Sequence, residues 1–256
     1  MRDPYAVLES IRGFAGARVL SQLSCGPTNN SYEVGQGGER YVLRIDKPEA
    51  ARLGLDRQAE KQVCESLAGA GLASPPVYFE PESGIYLRAF LPGKTWTGRD
   101  LLSAQNLARL AHLLRRLHAS PLAGKPFDPL QAAIRYADCV GTAEAAQVCA
   151  GLINRHSEID KAVQTLCHND LVAGNILDNG NLMLIDWEYA GIGDPFFDLA
   201  VVTQHHRLDS VRVKQFLDSY LQADASAADL ARLEIQRGFY QSLLDLWHLR
   251  IAAPGR

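Results

Sequence analysis

The chain reads as an α+β protein of two lobes, a small antiparallel sheet-rich N-lobe over residues 1–90 and a mainly helical C-lobe over 91–256 that carries one β-hairpin. Three observations predict this. Apolar residues alternate with period two across 17–46; from Asp56 the spacing becomes helical; and past residue 103 it stays helical except in one stretch, 167–191, CHNDLVAGNILDNGNLMLIDWEYAG.

Taken in order, ARVLSQL, SYEVG and RYVLRI are the first three strands, separated by the turn-rich segments CGPTNN and QGGE. Ala59, Val63 and Leu67 then form one helical stripe, which Gly69 and Gly71 stop. PPVYF and GIYLRAF follow as two short strands, so residues 1–90 form a small sheet with one inserted helix. LPGKTWTG breaks the pattern and places a hinge near 91–94. Beyond it, Leu107, Leu110, Ala111, Leu114 and Leu117 make an apolar helix face behind Ser103 as N-cap. In the exceptional stretch, NILD and LMLID flank Asn179-Gly180, a strong hairpin signal.

Composition bounds the function. Hydrophobic residues make up 47% and charged residues 21%, ordinary for a globular protein, and the net charge of −3 comes without a long block of either sign. Neither nucleic acid nor a membrane surface is expected as the main partner, and no apolar run is long enough to cross a bilayer. The five cysteines are scattered, with no Cys-x-x-Cys pair, which predicts reduced thiols. The N-terminal MRDPYAVLESIRG lacks the apolar core of a signal peptide, so a cytoplasmic location is expected.

Asp170, Asn175 and Asp186 stand among the apolar residues of 167–191. A hairpin returns Asp186 close to Asn175, on the side of the loop holding Asp170. A carboxylate with an amide oxygen suits Mg²⁺, which takes hard oxygen ligands and keeps waters or phosphates in its shell. A further carboxylate, off the metal, suits a hydroxyl that must be aligned or deprotonated. Asp and Asn are also common turn residues, so spacing alone leaves both readings open. The metal reading is favoured by LMLID, where an Asp directly follows apolar strand residues and would be costly to bury without a cation or donors.

His168-Asn169-Asp170 with Asn175, followed by Ile-Asp-Trp-Glu-Tyr-Ala-Gly from 185, resembles the catalytic segment of the choline/ethanolamine kinases and aminoglycoside phosphotransferases. Asp186 follows Asp170 by sixteen residues, as in that pattern, and the continuation DPFFDLA points to the choline-kinase-like branch, which includes bacterial thiamine kinases. The resemblance implies a protein-kinase-like two-lobed fold with Mg²⁺ as cofactor and ATP as co-substrate. It gives Asp170 the acceptor hydroxyl, and Asn175 and Asp186 the Mg²⁺ on the ATP phosphates. It makes His168 and Asp198 supports of the loop.

In the N-lobe, Arg44 on a half-buried strand needs an acidic partner, and Glu60 on the next helix is the nearest good candidate. The resemblance puts Arg44 in the place of the strand lysine of kinases. The turn at 25–32 has one glycine, and Thr28, Asn29 and Asn30 offer donors to phosphate. Only eleven residues separate Asp186 from Asp198, too few for a peptide-docking platform, so the acceptor is expected to be a small alcohol in a C-lobe pocket. Tyr189 and Trp247 align with residues lining the choline site of the family and suit an organic cation. Leu244 replaces the second tryptophan of that pattern, and TQHH at 203–206 stands where choline kinases carry an acid. An amino alcohol such as choline or ethanolamine is the first expectation. Thiamine, an aminoglycoside and a catalytically silent nucleotide-binding role are the alternatives.

Overall fold

The computed structural model describes residues 2–48, 50, 53–156 and 164–252, and the chain divides into two compact units, Met1–Pro92 and Gly93–Arg256. Unit 1 is built on a five-stranded sheet in the order β1-β2-β3-β5-β4. Its strands are β1 (Arg18–Cys25), β2 (Asn29–Gln36), β3 (Glu39–Asp46), β4 (Pro76–Glu80) and β5 (Ile85–Ala89), every pair antiparallel. Before them comes α1 (Pro4–Ser10), with Asp3 as N-cap accepting from the Tyr5 amide at 3.2 Å and Pro4 presetting the first turn. This helix corrects the expectation of a single helix in the N-lobe; at seven residues it is too short to show a periodic stripe.

The pleat of β3 decides how unit 1 is layered. Leu43 and Ile45 point to one face, where Val7, Leu8, Ile11 and Phe14 close the core. Arg44 points to the other, beside Tyr86 of β5 and the helix α2 (Arg57–Gly69), which begins at an Asp56 cap and buries Ala59, Val63, Cys64 and Leu67. Each fully buried aliphatic side chain of this kind contributes roughly 1.5–3 kcal/mol.

Unit 2 is helical, with α3 (Ala104–His118), α4 (Pro129–Val140), α5 (Ala143–His156), α6 (Pro195–His205), α7 (Ser210–Leu221) and α8 (Ala227–Ala252). α3 packs on α7, and α8 packs on both α4 and α6. Ser103 caps α3 as its sequence predicts, and the expected leucine face is fully buried. Two small sheets sit among the helices. One holds β6 (Lys94–Thr95), β8 (Ile176–Asp178) and β9 (Leu182–Leu184); the other pairs β7 (Thr165–Cys167) with β10 (Gly191–Gly193). The expected hairpin is β8–β9, with Asp178 opposite Leu182 across Asn179-Gly180.

The C-lobe therefore carries more sheet than the single hairpin foreseen. Lys94, at the end of the expected hinge, and Thr95 after it pair with Asp178 and Leu177. Gly93 permits that approach: at φ 149° a Cβ there would meet the Asp178 carbonyl at 3.0 Å. The hairpin is also tied to α3. Arg109 donates to both Asp178 oxygens at 2.7 and 2.8 Å, and Trp96 Nε1 donates at 3.2 Å. Arg109, the Gly180 amide and Trp96 hold the Asp178 carboxyl well below the usual carboxylate range. The hairpin that carries Asn175 and Asp186 at its two ends is thus held fast.

Candidate active site

The catalytic loop leaves β7 at Cys167 and turns sharply at Asn169, whose φ is 64°. A left-handed non-glycine residue costs free energy and must be held by its surroundings. Asp198, fully buried in the first turn of α6, does this by accepting the His168 amide at 2.9 Å and the Asn169 amide at 2.7 Å. Asp198 Oδ2, the oxygen that accepts the His168 amide, also lies 3.0 Å from His118 Nε2. His168 completes the brace: its Nδ1 accepts the Asp170 amide at 3.3 Å and its Nε2 donates to the Ile185 carbonyl at 3.0 Å. The imidazole also lies 4.6 Å, centroid to centroid, from the Trp187 ring.

Asp170, Asn175 and Asp186 are brought together. Asn175 Nδ2 donates to the Asp170 carbonyl and to Asp170 Oδ2, both at 2.9 Å. Its backbone carbonyl accepts from the Ile185 amide at 3.0 Å, fastening the end of β9 to the loop. Burial pushes the Asp170 carboxyl above its ordinary value; His168 and Asn175 oppose the shift, and the Asp186 charge adds to it. Asp186 is itself exposed and sits at φ 67°, two residues past β9. That corrects one step of the sequence argument: a left-handed turn lifts Asp186 out of the apolar strand, so no burial cost demands a cation. The donor chemistry still fits one. With Nδ2 given to Asp170, Asn175 presents its carbonyl oxygen, and with the Asp186 carboxylate this makes a hard-oxygen pair of the type Mg²⁺ takes.

In unit 1 the pair foreseen from sequence is formed. Arg44 Nη1 and Nη2 donate to Glu60 Oε1 and Oε2, each at 2.7 Å, with both side chains buried. Arg57 joins from the same helix as Glu60, reaching Glu60 Oε2 at 2.8 Å and Asp46 at 2.6 and 2.8 Å. The Arg44 guanidinium also lies 5.1 Å from the Tyr86 ring centroid. Thr28, Asn29 and Asn30 are buried rather than displayed as a loop. β2 already begins at Asn29, Asn29 Nδ2 donates to Thr28 Oγ1 at 2.9 Å, and Lys47 clamps the turn from its backbone amide to the Thr28 carbonyl at 2.8 Å.

Beside Asp170, unit 2 gathers aromatic side chains from three segments. Trp247 on α8 acts on Tyr189, and Tyr189 and Tyr136 on α4 act on each other electrostatically. Burial pushes Tyr136 up to about 12 and Tyr189 well above its usual value, and the charges of Glu188 and Asp170 act on both, so these phenols stay protonated. Tyr240 on α8 feels the Asp170 charge as well, and its hydroxyl lies 2.6 Å from His205 Nδ1. Burial and neighbouring histidines lower His205 and bring His206 down to about 4. Tyr136, Tyr240, Glu188 and His118 were not singled out from sequence. Glu188 stood in plain view two residues past Asp186, whereas the others lie on helices where only the fold shows their target.

A braced HxD loop, an Asn and an Asp at the ends of one hairpin, and an arginine of an antiparallel sheet paired with a helix glutamate define a protein-kinase-like phosphotransferase. Residues 19–235 match the phosphotransferase enzyme family, and the chain belongs to it. Protein LicA of Haemophilus influenzae is 28% identical over 207 residues, 76% of this chain and 60% of that protein; in a second strain the figures are 29%, 75% and 76%. Thiamine kinase of Escherichia coli is 27% identical over 208 residues, 77% of this chain and 71% of the enzyme. Among solved structures, a choline/ethanolamine kinase family protein from Mesorhizobium loti superposes with a TM-score of 0.77 at 22% identity, covering 96% of this chain and 84% of that one. Choline kinase LicA from Streptococcus pneumoniae gives 0.75 at 24%, covering 93% and 89%. The foreseen two-lobed kinase-like fold is thus established. Among the described residues no helix is long and apolar enough to cross a membrane.

Proposed function

We propose that this phosphotransferase moves the γ-phosphate of Mg·ATP to the hydroxyl of a small cationic alcohol, with choline or ethanolamine the leading acceptors. The observation that carries the reading is the Asp170 carboxylate, held by Asn175, whose charge, with that of Glu188, acts on Tyr136 and Tyr189, with Trp247 acting on Tyr189 in turn. Phosphoryl transfer asks little covalent chemistry of a protein, so positioning and charge placement carry it. Asp170 accepts the hydrogen bond of the acceptor hydroxyl and takes its proton as the O–P bond forms. Asn175 keeps that carboxylate aimed. Asn175 and Asp186 would hold Mg²⁺, which when bound neutralises charge on the phosphates. In unit 1, Arg44 is assigned to the nucleotide phosphates, Glu60 to holding Arg44, and the turn at Thr28, Asn29 and Asn30 to the nucleotide through its backbone. Aromatic faces with an adjacent acid suit an organic cation, quaternary or heteroaromatic.

Thiamine is the second reading, supported by the thiamine kinase relatives and by the same aromatic set, which suits its cationic ring. Release of ADP from Mg·ATP, measured with choline, ethanolamine, thiamine and an aminoglycoside, tests the proposal. Turnover with choline or ethanolamine at the highest kcat/KM is expected. Turnover confined to thiamine would move the assignment to the second reading, and turnover confined to the aminoglycoside would refute both.

A further inference from the structure

Behind the catalytic loop lies a chain of buried polar contacts that ends on a helix far along the sequence. Asp198 accepts two backbone amides of the loop and faces His118 Nε2. A carboxylate only accepts, so Nε2 carries the hydrogen. His118 Nδ1 lies 2.8 Å from the hydroxyl of Tyr220, near the end of α7, with the two rings edge to face at 5.6 Å. If Nε2 alone is protonated, Nδ1 is a bare acceptor and the phenol is its donor. Burial pushes the Tyr220 hydroxyl well up, and the nearby Cys167 and Asp198 add to this, so its proton is retained.

We infer that Tyr220 is a positioning residue for Asp170: by donating to His118 Nδ1 it fixes the Nε2–H tautomer, which holds Asp198 and, through it, the left-handed turn at Asn169. The effect rests on the phosphoryl-transfer reading only where turnover is concerned. His118, Cys167 and Asp198 also bring a nitrogen, a sulfur and an oxygen within 4.8 Å of one another. In this arrangement His118 and Asp198 are hydrogen-bonded to each other with Cys167 alongside, and the three do not form a metal site, because the Nε2 lone pair is capped by hydrogen and burial keeps the Cys167 thiol protonated.

The test compares the full-length chain with Tyr220→Phe, which removes one hydroxyl and keeps the ring. Phe216→Leu, a packing change at a fully buried position of the same helix, is the control. In ¹⁵N-histidine-labelled protein at pH 8, wild-type His118 should show a protonated Nε2 and a hydrogen-bonded, unprotonated Nδ1. In Tyr220→Phe the Nδ1 resonance should move toward that of an unbonded pyridine-type nitrogen. Amide exchange at His168 and Asn169 should rise roughly tenfold, and kcat should fall roughly tenfold with both KM values unchanged. Phe216→Leu should leave the His118 nitrogens as they are. An imidazolium in the wild type at pH 8, an unmoved Nδ1 resonance in Tyr220→Phe, or unchanged amide exchange and kcat would each overturn the inference. A wild type with no turnover but with the expected nitrogen and amide signals would count for the positioning and against the functional reading.

Discussion

Glu60 in unit 1 is a buried carboxylate and Asp170 in unit 2 a partly buried one, and their surroundings drive them in opposite directions. Burial alone would raise Glu60, but the guanidiniums of Arg44 and Arg57 reverse the shift and hold it below its ordinary value. Burial raises Asp170 too, and there only an amide and an imidazole oppose it while the Asp186 charge adds to it. A carboxylate locked between two cations is an inert strut. One left with a single amide donor, and with a second negative charge nearby, retains basicity that a hydroxyl can use. On the proposed function, the difference separates the part of the molecule that orients from the part that reacts.

The sharpest way to break this contrast is to neutralise each carboxylate. Asp170→Asn should lower kcat by about 10³-fold, within the usual range for loss of a positioned acid–base group, with an unchanged thermal midpoint. Glu60→Gln should do the reverse in kind. It leaves two buried guanidiniums under-compensated, a cost of about 3–5 kcal/mol in stability, readable as a shift of the urea midpoint. Equal stability losses in the two variants would erase the distinction.

Smaller effects sharpen it. Trp247→Leu should raise the KM of a cationic acceptor roughly tenfold, about 1.4 kcal/mol, and leave the KM of ATP alone. Asp178 supplies a pH test of a purely structural carboxylate. Its folded-state carboxyl is depressed, so its contribution is complete above the unfolded value of about 4 and is lost as pH falls through the folded value. Asp178→Asn should cost about 1–2 kcal/mol at pH 7 and lose less stability than the wild type on going from pH 4 to pH 2, measured by denaturant titration at each pH.

What could be read beforehand follows the same division between local and distant causes. The β8–β9 hairpin was legible because the apolar segments NILD and LMLID and the Asn179-Gly180 turn between them are adjacent in sequence. Arg44 and Glu60 were legible because a buried arginine on a strand has few acids within reach. β7 and β10 were not. Three residues each, they pair Cys167 with Gly191 across more than twenty residues, and Gly191 is required because a Cβ there would meet the Lys125 carbonyl at 2.7 Å. The left-handed turn that exposes Asp186 was hidden for a related reason, since LMLID continues the strand pattern up to the residue where the backbone leaves it. His118 and Tyr136 look like ordinary helical residues until α3 and α4 are set against the loop.

The central claim is that Asp170, with Asn175 and Asp186, performs phosphoryl transfer to a small hydroxyl compound. The most direct test is ³¹P NMR of the wild type and Asp170→Asn, each incubated with Mg·ATP and choline. A phosphomonoester resonance growing as the γ-phosphate signal is consumed in the wild type, and absent over the same time with Asp170→Asn, is the predicted result. An equal rate of phosphoester formation in the variant would contradict the account.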